Sequence, residues 1–487
     1  MQEVLRDPAF RAASAALADP YRTRLVRQVL DRHRQALRAE AGGAPAGGAA
    51  GVATAVIADC VEAAAALARP FPRRVVNGTG VLIHTNLGRA PLGELGGQLG
   101  GELGGEFAAG APAGYTDLEW DAASQGRGDR DLALGRQLRL LTGAEAAVVV
   151  NNCAGALLLA LNTLAAGRGV VVSRAELVEI GGSFRVPDVM AASGCRLREV
   201  GTTNRTRPDD YERGALGPEG PAAALLKVHQ SNFVQRGFVA QVDAAELVAL
   251  GRRLGVPVVE DNGSGLLAAD APAAAEGHGG APVLRGEPRV AASLAAGVDV
   301  VCCSGDKLLG GVQAGLLLGR ADLVGAMRRN PLFRALRLDK VRAALLGRTL
   351  RAHLAGRAAE LPVWRLFHAS LDELGARLDA LRLPGAGTRW RSCRRVPLRA
   401  TLGGGSNPEA DFPSLGLELA HRDLSADAVR RRLAAREVPI AAYVRRDRCY
   451  LDARTLFADD LPEVQRALDE LGAPDAAGGA PLGTPRV

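Results

Sequence analysis

Lysine is nearly absent from this chain. Of its 60 basic residues, three are lysine and all the others are arginine. A guanidinium group stays protonated in proteins, whereas a buried ammonium group loses its proton readily. A lysine that is kept in an apolar setting in such a chain therefore indicates chemistry that arginine cannot perform.

Paired cysteines and aromatic residues are also scarce. The seven cysteines are scattered without zinc-type spacing, so we predict no metal site, and their odd number indicates a reducing compartment. We see no signal-peptide pattern and no apolar run of membrane-spanning length. With 47% apolar residues and a net charge of +7, the chain is predicted to be a cytoplasmic globular protein.

The chain is long enough for several domains. We predict a helical module over residues 1–70, a large domain over 71–350, a small α+β domain over 351–475 and a disordered tail over 476–487. In the first module, helices are expected over 21–40 and 53–68, joined by a flexible linker over 41–51. The first helix carries six arginines against two acidic residues, a net charge of +4, which fits a solvated face and contact with a phosphate backbone equally well.

Strands and helices alternate from residue 146 onward. Strands are expected over 146–150, 170–173, 196–200, 223–228 and 256–260, with a helix over 244–254. This alternation predicts an α/β fold with a mostly parallel sheet, in which ligands bind beyond the carboxyl ends of the strands. His229, Ser231, Asp261 and Ser304 all lie near such ends.

Lys307 follows a further buried strand, Val298 to Cys303, on a turn that contains Ser304, Gly305 and two later glycines. A lysine held among apolar groups becomes a neutral amine that can form a Schiff base with pyridoxal phosphate. The alternative is a surface lysine on a turn. Asp261 is expected to hold the pyridine nitrogen protonated, and its alternative role is a helix cap.

Asn152, Cys153 and Ala154 lie between the strand over 146–150 and a helix expected over 156–166. A helix N-terminus after a strand and a small-residue turn forms an anion site, which would take the cofactor phosphate. Farther along, Arg334 and Arg337 would share one face if their segment is helical, and paired guanidinium groups suit an oxyanion. By charge alone, a solvated basic helix is the alternative.

Four strings in order make the chain resemble the bacterial selenocysteine synthases, the L-seryl-tRNA(Sec) selenium transferases, which belong to the fold-type-I pyridoxal-phosphate enzymes. They lie within 77–92, 179–188, 199–206 and 304–311. One departure is Cys153, where the family's cup has a third asparagine. Others are a Gly-rich insert over 93–110, extra residues over 271–286, and Ala442-Tyr443 in place of a Gly-Arg pair.

The resemblance implies that Lys307 carries pyridoxal 5′-phosphate and that Arg89, Arg334 and Arg337 bind selenophosphate. It also implies that residues 1–70 bind seryl-tRNA(Sec), that the reaction passes through dehydroalanyl-tRNA, and that the subunits form a homodecamer, a ring of dimers. The first alternative is a pyridoxal-phosphate lyase that acts on a small amino acid or amino-sugar acid. The second is a catalytically silent tRNA-binding scaffold.

Overall fold

The computed structural model describes residues 1–39, 48–92, 115–180, 184–267, 284, 286–385, 387–406 and 411–474. The chain divides into two compact units, Met1–Val75 and Val76–Val487. The predicted Gly-rich insert, most of the 271–286 segment, most of the linker and the predicted tail lie outside the described residues.

The first unit is a bundle of four helices: α1 (Gln2–Arg6), α2 (Pro8–Ala13), α3 (Asp19–Ala39) and α4 (Gly48–Ala68). Both helices predicted here are present. Their apolar stripes form a small core with α1 and α2, made of Val4, Phe10, Val26, Val29, Val56, Cys60 and Ala64. Leu37 of α3 is 41% exposed although it continues the apolar spacing of Val26 and Leu30 in the sequence. The buried stripe of α3 runs through Val29 instead, because the helix packs along its N-terminal half.

The prediction that no apolar run has membrane-spanning length is wrong for one helix of this unit. The 18 residues Gly51–Ala68 in α4 have a mean hydropathy of 1.6, which meets that requirement by length and composition. The many alanines of α4 hid this run, because alanine is only weakly apolar. The helix also contributes Val56, Cys60 and Ala64 to the bundle core, and its Asp59 pairs with His33 at 2.7 Å.

The second unit contains all the strands of the described chain. They are β1 (Val76–Asn77), β2 (Trp120–Asp121), β3 (Gly126–Arg127), β4 (Ala146–Val150), β5 (Gly169–Ser173), β6 (Glu179–Ile180), β7 (Phe184–Arg185), β8 (Arg196–Val200), β9 (Ala224–Val228), β10 (Val258–Gly263), β11 (Val300–Ser304), β12 (Gly315–Gly319), β13 (Trp390–Thr401), β14 (Asp411–His421), β15 (Ile440–Ala441), β16 (Tyr443–Arg445) and β17 (Arg448–Asp452).

Thirteen α-helices of the described chain belong to this unit as well. They are α5 (Leu132–Thr142), α6 (Cys153–Ala165), α7 (Val186–Ala192), α8 (Pro208–Ala215), α9 (Ala244–Leu254), α10 (Val290–Ala296), α11 (Ala321–Arg329), α12 (Pro331–Ala335), α13 (Lys340–Leu354), α14 (Pro362–His368), α15 (Leu371–Asp379), α16 (Ala426–Ala434) and α17 (Leu461–Gly472).

Seven strands form the central sheet in the order β4-β12-β11-β10-β9-β5-β8. Only β12 runs against its neighbours, so the predicted mostly parallel sheet is confirmed. Successive residues of the strands enter two separate apolar cores. Val148 and Val150 belong to one core, and Val149 belongs to the other. Such near-continuous apolar strands are typical of a sheet with helices on both faces.

The C-terminal part of the unit is an antiparallel sheet in the order β13-β14-β17-β16, with a core of its own against α15, α16 and α17. The short strand β1 pairs in parallel with β15, and Val76 lies opposite Ile440. Val76 is fully buried in that C-terminal core. The first strand of the second unit therefore packs in the core of the C-terminal sheet.

Candidate active site

Lys307 lies just beyond the end of β11, on the turn that the sequence predicts. Lys307 is 6% exposed. The other two lysines differ: Lys227 donates to Glu176 at 3.0 Å, and Lys340 is exposed. Among the described residues Lys307 forms no ion pair. Burial lowers the pKa of its ammonium, and the nearby Arg89 guanidinium acts in the same direction. Lys307 is therefore disposed to be a neutral amine.

A glycine turn of the C-terminal part covers this amine. A Cβ atom at Gly405 would lie 2.5 Å from Lys307 Nζ and 2.7 Å from its Cε, so a larger residue there would force the lysine side chain or the turn to move. Gly405 also has a φ of +91°, which disfavours any other residue. Arg89 Nη1 donates to the Gly404 carbonyl at 3.2 Å, so the same turn brings Arg89 to the site. The sequence Gly403-Gly404-Gly405-Ser406 by itself predicts only a flexible turn.

Asp261 lies inside β10, one strand away from β11. We expected the strand to end at Glu260, but it continues to Gly263 with a register shift against β11. Asp261 is 5% exposed. Burial raises the pKa of its carboxyl, whereas the Lys307 ammonium and the Cys153 thiol oppose the rise.

Gly263 leaves a space between the polar groups of the site. A Cβ atom at Gly263 would lie 3.8 Å from Asp261 Oδ1, 3.9 Å from Lys307 Nζ and 3.9 Å from Ser231 Oγ. The predicted lysine and carboxylate thus face one gap with Ser231. Ser231 Oγ is buried and has no hydrogen-bond partner in the described part of the chain.

The predicted anion cup is the first turn of α6. The helix begins at Cys153, earlier than expected, because the Asn152 side chain caps it by accepting from the Gly155 N–H at 2.8 Å. The N–H groups of Cys153 and Ala154 have no acceptor within the helix. Cys153 also reaches the other end of the site, since its Sγ lies 3.5 Å from Asp261 Oδ1.

His229 follows β9, and its ring lies beside a carboxylate that the sequence did not connect with it. Its Nε2 lies 3.1 Å from Glu287 Oε2, and the Glu287 side chain is 1% exposed. The backbone N–H of His229 donates to the Asp261 carbonyl at 2.9 Å, which ties the two strand ends together. Glu287 follows the unusual insert, so no sequence pattern connected it to His229. Ser304 is the last residue of β11, and it is also buried.

Arg334 and Arg337 do not share a helix face, because the helical segment that this arrangement requires ends between them. Helix α12 ends at Ala335, and Arg337 instead forms an isolated bridge with Val150. Arg334 is exposed, whereas Arg337 pairs with Glu119 at 3.3 Å. Neither is hydrogen-bonded to Lys307 or Asp261 in the described chain. The bridge to Val150 nevertheless puts the Arg337 backbone beside the strand that leads into the cup.

The residues around the gap fit pyridoxal phosphate. The amine of Lys307 would bind its aldehyde, Asp261 its ring nitrogen, and the first turn of α6 its phosphate. The buried Ser231 hydroxyl without a partner and the absence of a side chain at Gly263 leave polar contacts and room for such a group.

Comparisons with known proteins agree with this geometry. A family model described as L-seryl-tRNA selenium transferase matches residues 75–457. The L-seryl-tRNA(Sec) selenium transferase of Geobacter metallireducens is 45% identical over 408 residues, which is 82% of this chain and 83% of the relative. The enzyme of the same name from Aquifex aeolicus is 41% identical over 412 residues, covering 83% and 85%.

A solved structure supports the fold, and the fold alone. The structure of D-glucosaminate-6-phosphate ammonia-lyase aligns with a TM-score of 0.54 at 17% identity, over 82% of this chain and 95% of that chain. The predicted fold class, enzyme class and cofactor are thereby confirmed together with the predicted family. Since the family model spans most of the sequence and the relatives match more than four-fifths of it, the chain belongs to the L-seryl-tRNA selenium transferase family of fold-type-I pyridoxal-phosphate enzymes.

Proposed function

We propose that this chain converts L-seryl-tRNA(Sec) into selenocysteinyl-tRNA(Sec) with selenophosphate as the selenium donor. The single observation that carries the proposal is the buried amine of Lys307, which forms no ion pair among the described residues and faces Asp261 across the Gly263 gap. The 45% identity to selenium transferases favours this reaction over the lyase alternative, because the lyase structure shares only the fold.

Each residue of the site would have a separate role in the reaction. Pyridoxal phosphate, when bound, supplies an electron sink for the charge that forms at the substrate α-carbon. Lys307 Nζ takes the α-proton, because its amine is held neutral by burial. Asp261 holds a proton at the ring nitrogen, and the α6 N-terminus binds the phosphate. Arg89, which the glycine turn brings to Lys307, binds the selenophosphate oxygens.

Arg334 and Arg337 remain candidates for the same anion. Arg337 is held by Glu119, which also pairs with Arg130 at 2.7 Å and Arg127 at 3.1 Å. One carboxylate therefore faces three guanidinium groups, and the cluster keeps a positive excess that suits a multiply charged oxyanion. Arg334 is exposed on α12, three residues before Arg337 in the chain.

The helical unit at the N-terminus is the proposed tRNA-binding module. On α3, Arg27, Arg32 and Arg38 are exposed and form no ion pair within the described residues, in contrast to Arg34, which pairs with Asp31 at 2.8 Å. Free guanidinium groups on one helix suit phosphate contacts, which weaken steeply with salt. Reversing Arg27 and Arg38 to glutamate should weaken tRNA binding and flatten its salt dependence in gel shifts, whereas Arg34→Glu should have a smaller effect.

The deciding experiment is selenium incorporation by the purified, cofactor-loaded chain. Wild-type protein should form selenocysteinyl-tRNA only when seryl-tRNA(Sec) and selenophosphate are both present, and Lys307→Ala should form none. Product from Lys307→Ala would refute the assignment of the lysine. Ammonia release from free serine or an amino-sugar acid, without transfer of selenium to tRNA, would instead establish the lyase. We also propose a homodecamer and a cytoplasmic location, which mass measurement and cell fractionation test.

A further inference from the structure

Cys153 joins two parts of the site that the sequence treats separately. Cys153 is the first residue of α6, where backbone N–H groups form the proposed anion site. Its thiol donates to Asp261 Oδ1 at 3.5 Å. Within the described chain this thiol is the one side-chain donor that is hydrogen-bonded to the Asp261 carboxylate. A single residue therefore touches both the proposed phosphate site and the partner of the ring nitrogen.

The Asp261 carboxylate needs such a donor for two reasons. A carboxylate buried away from water reverts to the neutral acid unless hydrogen bonds or a positive charge hold it ionised. The last torsion of an aspartate side chain is also broad, so packing alone orients the two oxygens poorly. A donor on Oδ1 favours the charged form and fixes the plane of the carboxylate, which leaves its second oxygen for the ring nitrogen.

The thiol is itself held in place by the cap of α6. Because the Asn152 side chain fixes the first turn through the Gly155 N–H, the Cys153 side chain starts from a rigid backbone. Burial of the thiol raises its pKa well above the ordinary value. The group therefore keeps its proton at neutral pH and acts as a donor.

We propose that Cys153 is a positioning residue, whose S–H group orients the Asp261 carboxylate for the cofactor ring nitrogen while its backbone N–H contributes to the phosphate site. This inference rests on the proposed cofactor site. The competing view is that Cys153 only fills space, as small buried cysteines commonly do. Cys302 is a suitable comparison, because it is fully buried and lies opposite Asp261 on β11 without a hydrogen bond to it.

The test compares Cys153→Ala, Cys153→Val and Cys153→Ser with Cys302→Ala in the full-length protein. Alanine and valine both remove the donor, and valine still fills the space of the sulfur if the cavity left by alanine prevents folding. Serine keeps a donor. The readouts are the dissociation constant of pyridoxal phosphate, the pH titration of the Schiff-base absorption band, and kcat and KM for seryl-tRNA.

Loss of the donor should weaken cofactor binding about 10-fold, in line with a hydrogen bond to a charged group. It should also raise the pH at which the absorption band titrates and lower kcat without raising KM. Serine should restore all three, and Cys302→Ala should leave the titration unchanged. A wild-type titration in Cys153→Ala or Cys153→Val, or equal shifts with serine and alanine, would overturn the inference. A wild-type protein with no absorption band would instead contradict the cofactor site itself.

Discussion

Replacing Gly405 with alanine should disable the site although the residue carries no functional group. The new methyl group would lie 2.5 Å from Lys307 Nζ, 2.7 Å from Cε and 3.1 Å from Cδ. Since carbon and nitrogen atoms pack at roughly 3.5 Å or more, the lysine or the turn must move by about 1 Å. The φ of +91° adds a backbone cost of about 1–2 kcal/mol for a residue with a side chain.

A displacement of this size is large for Lys307 Nζ, which must reach the aldehyde carbon of the cofactor. A misplacement of about 1 Å costs on the order of 100-fold in rate, so we expect kcat of Gly405→Ala to fall by about that factor. The Schiff-base absorption band should weaken in parallel, because the same amine forms the bond to the cofactor. Thermal stability should fall as well, by an amount set by the backbone cost of about 1–2 kcal/mol at this buried position.

Gly404→Ala is the matched control in the same turn. A methyl group at Gly404 would have its nearest contact at 3.5 Å, with Thr85 Oγ1, and Gly404 is exposed. Its carbonyl, which accepts from Arg89, is retained. Gly404→Ala should therefore keep most of the activity. The reasoning fails if Gly405→Ala shows a wild-type absorption band and wild-type kcat, or if both alanine variants lose activity equally.

Three further predictions follow from single residues. Asp261→Asn should lower kcat at least 100-fold with an intact fold, measured by selenium transfer and circular dichroism, because an amide cannot hold the ring nitrogen protonated. Asn152→Ala should destabilise α6 by about 1 kcal/mol and weaken cofactor binding in a fluorescence titration, because it removes the cap on Gly155 N–H. Burial raises the pKa of Asp131 to about 6, so its folded form holds a proton more tightly than its unfolded form does. Stability should thus decline as the pH rises from about 4 through 6, by roughly 2–3 kcal/mol, and denaturation curves of Asp131→Asn should lack that decline.

The sequence was sufficient to predict the central sheet. Strand β4 and helix α9 agree with the predicted bounds, since a continuous apolar run and a capping box mark them locally. Lys307 and Asp261 were found for a similar reason: each stands where an apolar strand gives way to polar residues. Local signals therefore identified the centre of the site.

Contacts between distant parts of the chain could not be predicted in this way. The glycines at 403–405 predict a turn, but nothing near them in the sequence says that the turn covers Lys307. Glu287 has no pattern that links it to His229. Arg337 lies beyond the end of α12 and forms an isolated bridge with Val150, a contact with a distant part of the chain. Each of these depends on which segments meet in three dimensions.

The pairing of β1 with β15 constrains how the protein can be made and divided. During synthesis, Val76 emerges early but has no partner strand until Ile440 has left the ribosome. The small C-terminal sheet cannot be excised as an independent fragment without leaving a hole where Val76 is buried. A useful dissection would therefore transplant residues 76–77 together with the C-terminal segment, or leave both in place.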